Sequence, residues 1–109
     1  MALDVAKLRK LLSLDPNDPL SRFALGKKLF ETEPTSETLA EAAEHLRIAN
    51  AKAPEHLATY DVLSQVLVQL GEKEEARRVL DEGIRRTSAV GEGMGRDLGP
   101  KMRERREAL

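Results

Sequence analysis

The stretch of sequence that decides the fold runs from residue 60 to residue 83 and reads YDVLSQVLVQLGEKEEARRVLDEG. It contains two apolar runs with helical spacing, since Leu63 and Leu67 lie one turn apart in the first run, as do Ala76 and Leu80 in the second. A glycine separates the runs, and glycine is the residue that most readily ends a helix in a left-handed cap. The stretch therefore predicts two helices joined by a tight turn.

A second copy of this unit precedes it in the chain. At an offset of 38 residues the matching pairs are Pro16 with Pro54, Leu25 with Leu63, Gly26 with Ser64, and Leu29 with Leu67. At an offset of 34 they are Ala42 with Ala76, Leu46 with Leu80, and Ala49 with Gly83. One insertion of four residues, near residues 33–36, reconciles the two offsets. A period near 34 is typical of helix–turn–helix repeat arrays.

Capping signals predict where the helices begin and end. Asp18 followed by Pro19 is a typical helix start, and Thr35 or Ser36 can cap the next helix. The predicted helices cover residues 3–14, 19–33, 36–53, 54–70 and 73–87. The first of them has no partner upstream, so it matches the second helix of a repeat and forms a half-repeat.

These positions resemble the pattern of the tetratricopeptide-repeat (TPR) family. The second copy follows the family's order of aromatic, Leu, small, large, Gly, Ala, large and small, with Tyr60, Leu63, Ser64, Leu67, Gly71, Ala76, Leu80 and Gly83. In the first copy Arg22 replaces the usual aromatic residue, and Ser88 replaces the closing proline of the second. The resemblance implies an all-α solenoid of about six helices in a right-handed stack. It implies a single TPR-like domain over residues 1–109, with the half-repeat helix at 3–14, repeat one at 19–53 and repeat two at 55–87.

The sequence beyond residue 88 predicts a less regular end. Residues 89–99 contain four glycines, which favours a flexible connection. Pro100 can then begin a short helix to Ala108. The segment 89–109 is therefore expected to be a glycine-rich connection and a terminal helix, which either caps the last repeat or is frayed.

The composition agrees with helices and excludes several kinds of site. The chain has 109 residues, of which 40% are hydrophobic, 3% aromatic and 34% charged, so Leu, Ala and Val must form the core. The absence of cysteine excludes disulfides and thiolate sites. A net charge of −1 gives no general attraction to nucleic acid or anionic lipid. Because no signal peptide or membrane-spanning run is visible, we expect a cytoplasmic protein with no membrane partner.

The resemblance also implies where a partner binds, because the first helix of each TPR pair lines the inner groove of the stack. Helical spacing places seven candidate partner-binding residues on that face: Leu20, Phe23, Lys27, Phe30, Asp61, Gln65 and Val68. The two phenylalanines either anchor a partner or pack against the half-repeat. We expect a non-catalytic adaptor or assembly factor that binds a peptide or a partner helix of another protein.

Three other kinds of partner are a chaperone tail, nucleic acid and a second copy of the chain. Some TPR domains hold the C-terminal tail of a chaperone with a clamp of Lys, Asn and Arg, but only Lys27 is basic at the matching positions, so this partner is not expected. From Arg85 onward there are seven Lys or Arg residues against four acidic ones, but no interleaved aromatic residue stacks on bases, which favours a solvated helix face over nucleic-acid binding. An uncapped end can also pair with a second copy, giving a monomer or a weak homodimer.

Catalysis and metal binding have little support in the sequence. His45 and His56 are the only histidines. Glu41 and His45 lie one helical turn apart and can form one edge of a metal site, but no further ligand is expected to converge on them. No nucleophile is paired with a base, and no glycine-rich loop follows a strand. We therefore expect neither enzymatic activity nor a cofactor.

Overall fold

The structure is a computed structural model that describes residues 4–90 and 93–109, apart from the side chain of Met94. Within these residues the protein is entirely helical, with six α-helices and no strand. The helices are Val5–Leu14 (α1), Pro19–Thr32 (α2), Ser36–Lys52 (α3), Leu57–Leu70 (α4), Lys73–Val90 (α5) and Met94–Glu107 (α6). The predicted all-α array of about six helices is confirmed.

The helices fall into two compact units, Met1–Ala53 and Pro54–Leu109, which we call unit 1 and unit 2. Unit 1 contains the half-repeat helix and the predicted repeat one, and unit 2 contains repeat two and the C-terminal helix. In unit 1, α2 packs against both α1 and α3. In unit 2, α4, α5 and α6 all pack against one another. The single TPR-like domain and the right-handed stack stay predictions.

The helix ends follow the capping chemistry in the sequence. The Asp18 side chain accepts hydrogen bonds from the backbone N–H groups of Leu20 and Ser21, and Pro19 occupies the first helical position. Thr35 caps α3 in a reciprocal arrangement with Thr38. Gly71 ends α4 with a φ of 80°, in the left-handed region that glycine adopts at little cost. Each cap satisfies backbone groups that a helix end leaves without an intrahelical partner.

Unit 1 is held together by close contact between α2 and α3. Gly26 is buried on α2, and a Cβ built on it would lie 2.7 Å from Cγ of Leu46 and 3.1 Å from the carbonyl oxygen of Ala42. Both facing residues are fully buried, as is Leu25 beside the glycine. The missing side chain of Gly26 therefore allows the two helices to approach each other closely.

Unit 2 has the same kind of contact, beside a buried apolar cluster. Tyr60 on α4, Leu80 on α5 and Met102 on α6 form this cluster, and each is at most 1% exposed. Gly83 on α5 lies against it, because an added Cβ would lie 2.8 Å from Cβ of Tyr60 and 2.9 Å from Sδ of Met102. All three helices of unit 2 thus pack together around this buried cluster.

The C-terminal helix differs from the sequence prediction. It begins at Met94 and not at Pro100, and α5 extends to Val90, so the described part of the expected flexible connection is mostly helical. Two of the described glycines, Gly95 and Gly99, are buried, and a Cβ on Gly95 would lie 2.8 Å from the carbonyl oxygen of Thr87. Residues 91–92 lie outside the described residues. The structure thus has helix at most of the described positions where the sequence predicts a connection, and α6 packs on α4 and α5. Whether α6 caps the last repeat or frays stays a prediction.

Candidate functional site

The predicted groove residues of unit 1 form a partly exposed stripe on α2. Leu20 is 58% exposed, although it is a large apolar side chain. Lys27 is also exposed, whereas Phe23 and Phe30 are half-buried. The stripe therefore presents apolar surface and a cation together, which is the combination that a peptide with apolar anchors and a carboxylate can use.

The predicted groove residues of unit 2 are less available. Asp61 is half-buried and accepts a hydrogen bond of 2.8 Å from Nη1 of Arg105, which also lies 3.2 Å from Oγ of Ser64. The side-chain amide of Gln65 donates to the backbone carbonyl of Asp61 over 3.3 Å. Val68 is 36% exposed. Within unit 2, α6 thus already supplies the cation that pairs with Asp61.

A cleft of about 340 Å³ lies in unit 1, where α1, α2 and α3 meet. It is lined by apolar residues (Leu12, Pro16 and Leu25) and by polar ones (Arg9, Ser13, Arg22, Glu41 and His45). On one side, Nη1 and Nη2 of Arg9 both donate to the carboxylate of Glu41, and the Nη2 bond is 2.9 Å long. This hydrogen bonding holds the pKa of Glu41 below its usual range, although partial burial opposes the shift.

His45 connects this ion pair to the second arginine of the cleft. Its Nε2 lies 3.2 Å from Oε2 of Glu41, and its Nδ1 lies 3.2 Å from Nη1 of Arg22. A guanidinium only donates hydrogen bonds, so Nδ1 of His45 accepts from Arg22, and Nε2 faces the carboxylate of Glu41.

Arg22 also anchors the turn that precedes α2. Its Nε donates to the carbonyl oxygen of Pro16 over 2.8 Å. In unit 2, the hydroxyl of Tyr60 donates to the carbonyl oxygen of Pro54 over 2.6 Å. Each donor lies six residues after its proline. The two copies of the repeat thus make the same contact with different side chains.

Only part of this cleft is visible in the sequence. The spacing of Glu41 and His45 was visible, since residues four apart share a helix face. Arg9 is 32 residues from Glu41, and Arg22 is 23 residues from His45. Contacts between residues so far apart in the chain cannot be predicted from a local sequence pattern. Arg22 was identified only as a departure from the family's aromatic residue. Arg22 in place of an aromatic residue is therefore a sequence feature that could have indicated the cleft.

The basic residues of the C-terminal segment are largely engaged within unit 2. Arg85 and Arg86 both donate to Glu82, and hydrogen bonding from Arg85 in particular lowers the pKa of that carboxyl to about 2. Arg105 pairs with Asp61, and Arg106 pairs with Asp81. Four of the seven cations noted in the sequence therefore already have carboxylate partners, which weakens the positive field that a phosphate backbone would meet.

The described residues contain neither a metal-binding cluster nor a membrane-spanning helix. Among residues 4–90 and 93–109, no set of three or more His, Asp or Glu side chains is placed to hold a metal ion. Over the same residues, none of the helices has the length and the apolar character needed to cross a bilayer.

Comparison with known proteins identifies no family. No protein-family model matches the chain, and no curated protein matches it significantly. The function of the protein must therefore be inferred from the surfaces described above.

Proposed function

We propose that this protein is a non-catalytic protein–protein interaction module of the TPR type, which serves as an adaptor or assembly factor in the cytoplasm. It binds a peptide or a partner helix through the groove face of α2, with Leu20, Phe23, Lys27 and Phe30 as contacts. The residues predicted on α4 belong to unit 2, where Gln65 and Val68 stay predicted contacts and Asp61 is already paired.

The observation that carries the proposal is the 58% exposure of Leu20 beside two half-buried phenylalanines. Burial of a large aliphatic side chain stabilises a complex by roughly 1.5–3 kcal/mol, so this surface gains from being covered. The exposed ammonium of Lys27 adds selectivity for a partner that carries a carboxylate nearby. The TPR resemblance supports the same face of the helix.

Site-specific photo-cross-linking tests this proposal directly. A photoreactive amino acid is placed at Lys27 in one variant and at Glu44, which is exposed on α3, in a matched control. Both variants are expressed in the source cell, and cross-linked peptides are identified by mass spectrometry. We expect a defined partner segment to be cross-linked from position 27 and not from position 44.

The partner segment is then synthesised and its affinity measured by fluorescence anisotropy. The double variant Leu20→Asp/Lys27→Glu should weaken binding at least about tenfold, since it removes a buried apolar contact and reverses a charge. Circular dichroism must first show that the variant stays helical. Equal cross-linking from both positions, or equal affinity of the double variant, would show that α2 does not form the binding surface.

Self-association is a second candidate, and one observation favours it. On α1, Leu11 is 43% exposed and Leu14 is 76% exposed. A second copy of the chain can cover these leucines. Sedimentation velocity across a range of protein concentrations tests this, with Leu11→Glu/Leu14→Glu as the variant. A concentration-dependent dimer that the variant abolishes would support it, whereas a monomer at all concentrations would exclude it.

A further inference from the structure

The cleft of unit 1 lies where the two copies of the repeat differ most in chemistry. Arg22 corresponds to Tyr60 at the offset of 38, and His45 corresponds to Val79 at the offset of 34. In unit 2, Val79 packs against the cluster that contains Tyr60. In unit 1, the corresponding Arg22 and His45 form a hydrogen-bonded polar pair that borders open space. Folding of the repeat therefore does not require a charged side chain at the first of these positions or a polar one at the second.

Arg22 makes no direct ion pair among the described residues, and the carboxylate of Glu41 is linked to it only through His45. The hydrogen bonds of Arg22 go to two neutral acceptors, the carbonyl of Pro16 and Nδ1 of His45. Arg9 and Glu41, in contrast, compensate each other. A half-buried guanidinium without a counter-ion is costly, because partial removal from water is not offset by an opposite charge. An anion in the cleft would supply that charge.

The remaining walls of the cleft indicate the body of the ligand. Leu12 and Pro16 contribute apolar surface to an open cleft of about 340 Å³, whereas Leu25 is only 1% exposed and adds little. Such a cleft covers one side of a small molecule, so polar groups must fix its orientation. We propose that the cleft binds an organic carboxylate with an aliphatic body, with Arg22 binding the carboxylate and the apolar wall covering the aliphatic part.

Planar carboxylates suit a guanidinium because two parallel N–H groups can donate to the two oxygens. A phosphate also carries negative charge, but it has no aliphatic part for Leu12 and Pro16 to cover. This site lies on a different face of α2 from Leu20 and Lys27, because Arg22 is two residues from Leu20 and five from Lys27. The inference therefore does not rest on the proposed function.

Such a carboxylate has two sources, a free aliphatic acid and the C-terminus of a polypeptide. The probes are hexanoate for the first source and the peptide acetyl-Ala-Ala-Leu for the second, with hexanamide and the peptide amide as neutral controls. Inorganic phosphate is a third arm. The reporter is the imidazole NMR signal of His45, and His56, the only other histidine, is an internal reference.

We expect at least one carboxylate probe to shift the His45 signal, with an affinity of about 1 mM for ligands this small, and both amides to leave the signal unchanged. The Arg22→Gln variant should weaken binding at least about tenfold, since hydrogen bonds to a charged group are lost. Arg78→Gln removes an exposed arginine of unit 2 that belongs to neither proposed site, and this variant should bind as the wild type does. Preference for hexanoate or for the peptide identifies the source, and either preference supports the proposal.

A second variant guards against misfolding of Arg22→Gln. The double substitution Arg22→Tyr/His45→Val installs the pair of unit 2, and its binding is read from the backbone amide signals of Leu12 and Leu25. It should fold and should not bind the carboxylate. Absence of any shift in the wild type, equal binding of the amides, equal or tighter binding of phosphate, or full affinity in both Arg22 variants would overturn the proposal.

Discussion

Unit 1 and unit 2 place different side chains at the same point of one helix-pair design. In unit 2, the ring of Tyr60 fills a dry cluster and its hydroxyl reaches back to Pro54. In unit 1, Arg22 reaches back to the corresponding proline, but its guanidinium lies beside His45 at the edge of a cleft. The turn contact is retained while the packing around it changes from apolar to polar.

This difference separates what the fold needs from what it tolerates. The fold needs a donor that can reach the proline carbonyl, because both units supply one. It does not need an aromatic ring there, since Leu25, Leu29 and Leu46 form part of a buried core in unit 1 without one. The polar pair in unit 1 is therefore available for a function other than stability, and the predictions below test whether the two units differ in this way.

The largest effect is expected when the residue of unit 1 is placed in unit 2. Tyr60→Arg would remove the ring from the apolar cluster and place a guanidinium beside Leu80 and Met102, although Glu82 and Glu55 act on this position electrostatically. The lost packing and the buried charge together should cost about 3–5 kcal/mol, which urea unfolding measures. A loss below about 1 kcal/mol would mean that the apolar cluster of unit 2 adapts to a charge as readily as unit 1 does.

The close helix contacts should be sensitive in both units. Gly26→Ala and Gly83→Ala each place a Cβ within 3 Å of facing side-chain atoms, so each should lower the free energy of unfolding by about 1–3 kcal/mol despite the better helix propensity of alanine. Gln69→Ala, on the exposed surface of α4, serves as the control and should stay within about 0.5 kcal/mol. Thermal unfolding followed by circular dichroism compares the three variants. Neutral glycine variants would contradict the packing described here.

The two terminal helices should differ in how strongly one ion pair holds them. Arg105 and Asp61 are 23% and 17% exposed, whereas Arg9 and Glu41 are 50% and 32% exposed. We expect Arg105→Gln to cost on the order of 1–2 kcal/mol and Arg9→Gln less than about 1 kcal/mol, because solvent screens the exposed pair. Hydrogen exchange of the α6 and α1 amides measures both. Equal loss of protection in the two helices would show that burial does not set the strength of these pairs.

The smallest effect is expected from pH. Arg9 lowers the folded-state pKa of Glu41 below the ordinary value of 4.5, so the pair contributes stability above pH 4.5 and loses it as the pH falls through the folded-state pKa. Because the pair is partly exposed, Glu41→Gln should cost less than about 1 kcal/mol near pH 7. The difference from wild type should shrink progressively below pH 4.5 in urea unfolding series. A difference that grows on acidification would have the wrong sign for this pair.

Most of the helix boundaries could be predicted because their signals are local. Asp18-Pro19, Thr35 and Gly71 act within one turn of their own positions, so the sequence around them is sufficient. The start of α6 could not be predicted in this way. Its glycines look like a flexible segment in sequence, whereas in the structure Gly95 is buried against α5 and Pro100 lies within the helix. Tertiary packing overrides the local preference there.

The candidate sites divide along the same line. The stripe from Leu20 to Phe30 follows from helical spacing, and whether a partner covers it stays a prediction. The cleft depends on pairs 23 and 32 residues apart, which period and spacing do not encode. The engagement of Asp61 by Arg105, 44 residues away, was invisible for the same reason. Side chains that meet across helices become predictable only when the packing of those helices is known.

The central claim is that the polar pair of unit 1 is not needed for its fold, and the double variant Arg22→Tyr/His45→Val tests it most directly. Urea unfolding of this variant should give a free energy of unfolding equal to or about 1–2 kcal/mol above that of wild type, because replacing buried polar pairs with packed apolar ones is often neutral or stabilising. A loss of more than about 2 kcal/mol would contradict the claim. Arg22 and His45 would then be structural groups of unit 1, and the cleft would lose its status as a binding site.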